Sequence, residues 1–464
     1  LRRLRQPEEH ADACRGETVA LFTKKKKKRV VVIGIDGVPY TFIRKHIRSG
    51  DFPNFKALLA KGDFRRMNSV MPCISSVAWS SYMTGCNPAK HNIFGFIDRK
   101  PNPFDMFIPT SVNMKAPTLW QILSENKLGV VVINVPVTYP PKEVNGVLIG
   151  DFLATDLRKA VYPPSLFEKL DSIGYRIDVD AWAGREDKDK FLEDINYTID
   201  KRIEAANWLF ESQKWDFFQL HIMSTDRINH FLWEAYEGND PKYAPRFLAF
   251  YKKIDNFLGE MEKRVGDNSE FIVLSDHGFC SVKKEVFTNY WLEREGYLRF
   301  SKEKPSNLKE MSPETKVYSL IPGRFFVNLK GREQFGSIEP GAEYERLRDE
   351  LVEKLPKITD PDSGEKIIRH VYKREEIYSG PHLEQAADII AHPYDGYDLK
   401  ANLNQQELGL KGSLQGMHTY DDASLYIRNR QIKGDSLWVA DLMPTILHLL
   451  DVNIPEHVDG KVVV

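Results

Sequence analysis

Apolar, β-branched runs set apart by long amphipathic stretches constrain this chain more than any other feature. Val30–Ile35, Val130–Val135, Val147–Gly150, Phe217–Ile222 and Phe271–Leu274 read as buried strands. Between them lie Pro117–Glu125, Lys188–Glu211 and Pro245–Arg264, whose apolar residues recur at helical spacing. Strands alternating with helices predict an α/β fold, a mostly parallel sheet sandwiched by helices. At 464 residues the chain has room for two or three domains, although large α/β enzymes can remain one unit.

The stretch 280–415 breaks this rhythm. It is richer in Lys, Glu, Pro and Gly, with short strand candidates at Arg324–Leu329, Ile367–Tyr372 and Ala387–His392 and one clear helix, Ala342–Leu355. It reads as an inserted α+β cap, which leaves 30–279 and 416–464 as the core and 1–29 as an irregular basic lead. Asp156–Arg185 reads as a second excursion over the site. A last helix is expected at Leu437–Leu450, with Pro444 near its start.

Composition excludes several functions. Lys+Arg is 65 against Asp+Glu 66, a net charge of −1, which argues against an electrostatic grip on nucleic acid or anionic membrane. No apolar run approaches the roughly 20 residues needed to span a bilayer. The cations Lys24–Arg29 read as a solvated lead into the first strand. Four cysteines, Cys14, Cys73, Cys86 and Cys280, form no CxxC pair, which fits free buried thiols in a reducing, cytoplasmic setting.

Chemistry concentrates where strands end. Phe271–Leu274 stops at Ser275-Asp276-His277-Gly278, a carboxylate and an imidazole side by side, with Gly278 allowing a sharp turn after them. Val30–Ile35 stops at Asp36-Gly37, where the carboxylate could equally cap a following helix. Asp226 and His230, spaced i, i+4 after Phe217–Ile222, would share one helix face. Open parallel sheets build their sites at the carboxyl ends of strands. Ser75 and Ser76 precede a helix-forming stretch, Ala78–Met83, and either could be a nucleophile or an ordinary N-cap. His418 stands alone in Gly416-Met417-His418-Thr419.

Together these residues resemble the alkaline phosphatase superfamily, and within it the type I phosphodiesterase/nucleotide pyrophosphatase branch, including prokaryotic phosphohydrolase/phosphomutase-like proteins. The resemblance runs from Val30 to Val464. It rests on Ile35-Asp36-Gly37, Ser75 nine residues before Thr84-Gly85, Asn87-Pro88-Ala89-Lys90-His91, Asp226-x-x-x-His230, Ser275-Asp276-His277-Gly278 and Gly416-Met417-His418. It implies two divalent metal ions, zinc by family, with manganese tolerated by a His/Asp ligand set. One ion would take Asp36, Asp276 and His277 with the Ser75 hydroxyl facing it; the other would take Asp226, His230 and His418. Ser75 matches the family nucleophile, with Ser76 as fallback.

The chain departs from the family at Phe96, where nucleotide-pyrophosphatase relatives carry an Asn that contacts a phosphoryl oxygen. Asn92 is the nearby amide and the candidate substrate contact. The phosphate-gripping arginine of true alkaline phosphatases has no match, and Arg99, Lys115 and Arg324 are the alternatives. Trp79, Phe94, Phe96 and Tyr139 could pack against an ester group. The expected function is a phosphodiesterase acting on a small-molecule phosphate ester through a phosphoseryl intermediate, without specific nucleic-acid or membrane binding. A phosphomutase or phosphomonoesterase on the same site is the alternative, and a non-catalytic binding protein a more remote one. A sulfatase is disfavoured because Cys73 lacks the following Pro and Arg of that family's motif.

Overall fold

The computed structural model describes residues 28–181, 183–267 and 269–464. Among them, eight strands form the central sheet: β1 (Val30–Ile35), β2 (Gly62–Met67), β3 (Val130–Ile133), β4 (Gly146–Ile149), β5 (Val161–Tyr162), β6 (Phe217–Ile222), β7 (Glu270–Ser275) and β8 (Ala423–Arg428). Their spatial order is β2-β8-β7-β1-β6-β3-β4-β5. The five central strands β7, β1, β6, β3 and β4 run parallel. The pairings β7–β8, β8–β2 and β4–β5 are antiparallel. All five strands expected from the sequence are present, with ends shifted by a few residues at most. The strand expected to reach Val135 stops at Ile133, because Asn134 turns with φ 57°.

Both faces of the sheet are covered, which explains the unbroken apolar runs. Val31, Ile33, Phe218 and Leu220 face one cluster, packed by the helices Tyr40–Ser49, Lys188–Ser212, Ser224–Glu237 and Tyr243–Val265. Val30, Val32, Phe217 and Leu274 face the other, packed by Ser75–Thr84, Leu119–Glu125 and Leu442–Leu449. The register sets the strand ends level: Gly34 of β1 lies beside His221 of β6 and Leu274 of β7. Residues that follow these three strands therefore emerge on one edge.

After β7 the chain leaves the sheet and returns at β8. The departing strand Gly278–Ser281 pairs antiparallel with the returning strand Gly416–Thr419. Between them stands a four-stranded sheet ordered Val317–Leu320, Arg324–Val327, Ile389–Pro393, Ile368–Lys373, with the helix Ala342–Lys354 against it. Its apolar cluster, including Val317, Tyr318, Phe326, Leu351 and Ile390, also takes Ala89, Phe94 and Phe104 from the earlier chain. The last helix is shorter than expected, Leu442–Leu449 preceded by a 3₁₀ turn at Val439–Asp441. No helix among the described residues is long and apolar enough to cross a membrane. Cys14 and the cations at 24–27 lie outside the described residues; Lys28 pairs with Asp451 at 2.7 Å.

Candidate active site

The carboxyl edge of the sheet gathers all seven side chains of the expected constellation. Asp36 leaves β1 without capping anything, since the next helix begins at Tyr40 behind Pro39. Ser75 opens the helix Ser75–Thr84 as its first residue. The N-cap is Ile74, which makes no side-chain cap, so neither serine is an ordinary N-cap. The Ser75 hydroxyl lies 3.1 Å from Asp36 Oδ1 and 3.1 Å from His277 Nε2. Asp226 and His230 share one face of the helix Ser224–Glu237, with His230 Nε2 3.3 Å from Asp226 Oδ1. His418 reaches them because the strand pairing sets it opposite Phe279. Its ring stacks on His277 at 3.7 Å, and its Nε2 lies 3.1 Å from Asp226 Oδ1.

Hydrogen bonds on the far sides of the rings decide what these nitrogens offer. His230 Nδ1 donates to Gly416 O at 2.9 Å and His418 Nδ1 to Cys73 O at 3.3 Å. Each ring therefore turns its Nε2 inward. The two Nε2 atoms face each other at 3.1 Å beside the Asp226 carboxylate. His277 Nδ1 likewise donates to Gly278 O at 3.0 Å, aiming its Nε2 at Asp36 at 3.3 Å and Asp276 at 3.5 Å. Asp276 Oδ2 is buried without a hydrogen-bond partner among the described residues. Imidazole nitrogens and carboxylates that converge at these distances suit divalent cations. Two sets, Asp226-His230-His418 and Asp36-Asp226-His277, have ligand atoms within 4.8 Å of one another, so Asp226 stands between both halves of the site.

The electrostatics reflect this crowding. Burial would raise the Asp36 carboxyl, but hydrogen bonds from His221 and His277 hold it well below the usual carboxylate range. Burial and the Asp36 charge push Asp276 well above it. His277 is lowered by burial, yet Asp276 and Asp36 raise it to about 10. His418 is pushed down to about 4 by burial and by the neighbouring His277.

A cleft of about 470 Å³ opens over Ser75, Asp226, His230 and His418. Phe96, Phe152, Met223 and Phe231 wall it from the core, and Ile321, Ile390, Pro393 and Leu399 roof it from 280–415. Ser76 also lines it, its buried hydroxyl without a partner among the described residues. Several sequence candidates lie elsewhere. Asn92 does not line the cleft: it ends the short helix Pro88–His91 in a left-handed conformation and donates to Asn113 O at 3.3 Å. Arg99 is buried against Glu333 at 2.8 Å, Arg324 pairs with Asp98, and Lys115 is exposed. Of the four aromatic candidates only Phe96 lines the cleft; Trp79 is buried beneath Asp36 and Phe94 belongs to the cluster under the roof. Sequence reasoning missed Arg227, which lines the cleft, pairs with Asp178 at 2.7 Å and lies over the Phe152 ring. The signal was its place directly after Asp226. Gly278 makes no turn. It is extended in a strand, and a Cβ there would meet Thr419 Oγ1 at 2.4 Å.

A helix-sandwiched, mostly parallel sheet carrying a serine and six Asp and His side chains on its carboxyl edge places the chain in the alkaline phosphatase superfamily. The family model of type I phosphodiesterase / nucleotide pyrophosphatase matches residues 30–421, and the chain belongs to that family. Solved structures that share its fold include three from different proteins. Phosphonoacetate hydrolase from Sinorhizobium meliloti 1021, in complex with phosphonoacetate, has a TM-score of 0.62 at 15% identity, over 92% of this chain and 96% of that one. Murine ectonucleotide pyrophosphatase / phosphodiesterase 5, an inactive variant in complex with AMP, scores 0.59 at 15% identity over 94% and 98%. The alkaline phosphatase PafA scores 0.58 at 15% identity over 94% and 98%. No curated protein matches the chain.

Proposed function

We propose that this chain is a two-metal phosphodiesterase acting through a covalent phosphoseryl intermediate on Ser75. One observation carries the reading: the Ser75 hydroxyl lies at the cleft floor, 3.1 Å from Asp36 Oδ1 and from His277 Nε2, beside the second set Asp226, His230 and His418. Asp36, Asp276 and His277 would hold one ion, with Ser75 facing it; Asp226, His230 and His418 would hold the other. Asp and His ligands without Cys suit zinc and also manganese. When bound, such ions supply Lewis-acid charge that lowers a hydroxyl's pKa and offsets charge building on the phosphoryl oxygens.

The chain's own groups do the rest. Ser75 Oγ attacks phosphorus as its proton passes through solvent to the departing alkoxide; the new P–O bond forms as the bond to that alkoxide breaks. Water then attacks the phosphoseryl ester, returning the Ser75 hydroxyl and releasing the product. First-turn amides of an α-helix have no carbonyl partner in the ladder, so those around Ser75 can face phosphoryl oxygens. The segment 280–415 acts as the cap that roofs the cleft over a small phosphate ester.

The diester preference follows from how nearby cations are engaged. A monoester dianion favours a guanidinium free to grip its extra oxygen. Arg227 gives its guanidinium to Asp178, Arg99 to Glu333 and Arg324 to Asp98. Phe96 and Phe152, stacked 6.1 Å apart, offer apolar surface to a second ester group instead. Arg185 and Lys400 also line the cleft, and Lys400 pairs with Asp398 at 2.5 Å. The test is kcat/KM for matched p-nitrophenyl mono- and diesters at saturating Zn²⁺ or Mn²⁺. A diester preference is expected. A tenfold monoester preference would overturn it and favour the phosphatase or mutase reading, for which phosphoglycerate belongs in the same panel.

A further inference from the structure

Beneath the site lies a buried unit that the proposed chemistry does not yet use. Asp36 divides its two oxygens sharply. Oδ1 faces Ser75 Oγ at 3.1 Å and His277 Nε2 at 3.3 Å. Oδ2 faces away and takes two donors, Trp79 Nε1 at 2.8 Å and His221 Nε2 at 2.8 Å. The two rings meet edge to face with centroids 4.6 Å apart. At its other end His221 Nδ1 lies 2.8 Å from the carbonyl of Asn134, so the ring faces an acceptor at each nitrogen and donates to both when it carries both ring protons. Asn134 is itself fixed by its amide on Gly150 O at 2.6 Å and by the Tyr175 hydroxyl. All of Asp36, Trp79, His221 and Asn134 are buried.

The sequence provides for this unit in three places. Trp79 sits one helical turn after Ser75, so the helix that presents the hydroxyl also carries a donor to the carboxylate facing it. His221 is the neighbour of Gly34 across β1 and β6. Gly34 leaves the space into which the indole fits: a Cβ there would lie 2.4 Å from Trp79 Cη2. A glycine inside an otherwise apolar strand marks such a close approach.

We infer that Trp79 and His221 are positioning residues that lock Asp36 Oδ2 and so present Asp36 to the metal centre through Oδ1 alone, in register with Ser75. The inference rests on the two-metal reading above. Its consequence is that Asp36 binds through one oxygen, which keeps a coordination position for the Ser75 hydroxyl. Without the two donors the carboxylate is free to rotate and offer both oxygens, displacing that hydroxyl.

Co²⁺ is the probe, loaded onto the full chain after chelation, because its visible absorption reports coordination number as well as occupancy. Wild type should take two equivalents. Trp79→Phe keeps the ring and loses the N–H; it should stay folded by circular dichroism and keep one ion at wild-type affinity. The other ion should weaken by about 10–100-fold, the usual cost of removing a hydrogen-bond partner of a metal ligand, and its absorption should drop toward that of a higher-coordinate ion. His221→Leu should behave likewise, and His221→Gln, whose amide can still donate to Oδ2, should recover much of the loss. If His221→Leu does not fold, Trp79→Phe and His221→Gln decide. Wild-type binding of two Co²⁺ with unchanged affinity and spectrum in folded Trp79→Phe would overturn the inference and leave the metal reading intact. Wild type binding no Co²⁺ would remove both.

Discussion

Two adjacent serines in the same helical turn give the sharpest test of the proposed chemistry, because their surroundings predict opposite outcomes. Ser75 Oγ is held by Asp36 and His277, each at 3.1 Å. Ser76 Oγ is buried with no partner among the described residues. Ser75→Ala deletes the nucleophile and leaves the proposed ligands Asp36, Asp276 and His277 in place. Loss of covalent catalysis should lower kcat/KM on bis-p-nitrophenyl phosphate by roughly 10³-fold or more, about 4 kcal/mol of transition-state stabilisation. The fold should lose only about 1 kcal/mol, since a short side chain and its hydrogen bonds go while alanine suits a first helical turn. Ser76→Ala removes an unpaired buried hydroxyl, so stability should hold or rise by about 1 kcal/mol. Its activity should fall less than roughly tenfold, because Ser76 contributes at most one hydrogen bond to the substrate. Activity at saturating metal and urea midpoints on the same preparations read both quantities. A larger activity loss in Ser76→Ala, or Ser75→Ala retaining a tenth of wild-type activity, would refute the assignment.

Purified protein should carry close to two equivalents of divalent metal by elemental analysis, and exhaustive chelation should abolish turnover until Zn²⁺ or Mn²⁺ is returned; full activity of the chelated protein would exclude the two-metal reading. His418→Ala should remain folded yet bind one ion fewer and lose at least about 100-fold in activity, since a metal ligand is removed; unchanged metal content per folded molecule would make His418 structural. Burial, with Arg369 and His370 nearby, pushes His392 in the cleft roof down to about 4. An unfolded histidine titrates near 6.5, so as pH falls from about 6.5 to 4 the unfolded chain gains a proton that the folded chain refuses, and stability falls. His392→Gln should shrink the drop in urea midpoint between pH 7 and pH 5, by an amount worth roughly 1–2 kcal/mol after solvent screening; an unchanged drop would show that this histidine does not report on folding.

The central strands were legible because each is covered on both faces, so β1 announces itself as an unbroken apolar run, and β1 and β6 both end where expected. The antiparallel edge was not. β2 is Gly-Asp-Phe-Arg-Arg-Met, with only Phe64 and Met67 buried, and an edge strand with one face in solvent tolerates charges that hide it. Site residues next to strand ends were legible for the same topological reason. His418 depended on motif alone: what brings it to Asp226 is the pairing of Gly278–Ser281 with Gly416–Thr419, a contact between distant segments.

The misplaced residues share one cause. Asn92, Phe94, Arg99 and Arg324 flank a motif or carry a useful charge, which makes them cleft candidates by sequence alone. The chain instead uses them to join 92–99 to the segment 280–415 or to end a short helix: Arg324 reaches Asp98 and the carbonyl of Ile97, Arg99 reaches Glu333, and Phe94 packs beside Tyr378. Proximity in sequence to a ligand predicts proximity in space only within an element whose geometry is already fixed. Arg227 meets that condition on the Asp226 helix, and Trp79 meets it one turn beyond Ser75. His221 meets it inside β6, where a histidine in Phe-Phe-Gln-Leu-His-Ile is a buried polar group that must find partners. Here those partners are Asp36 and Asn134, so the anomalous polar residue in an apolar strand pointed to the site as directly as the metal-ligand motifs did.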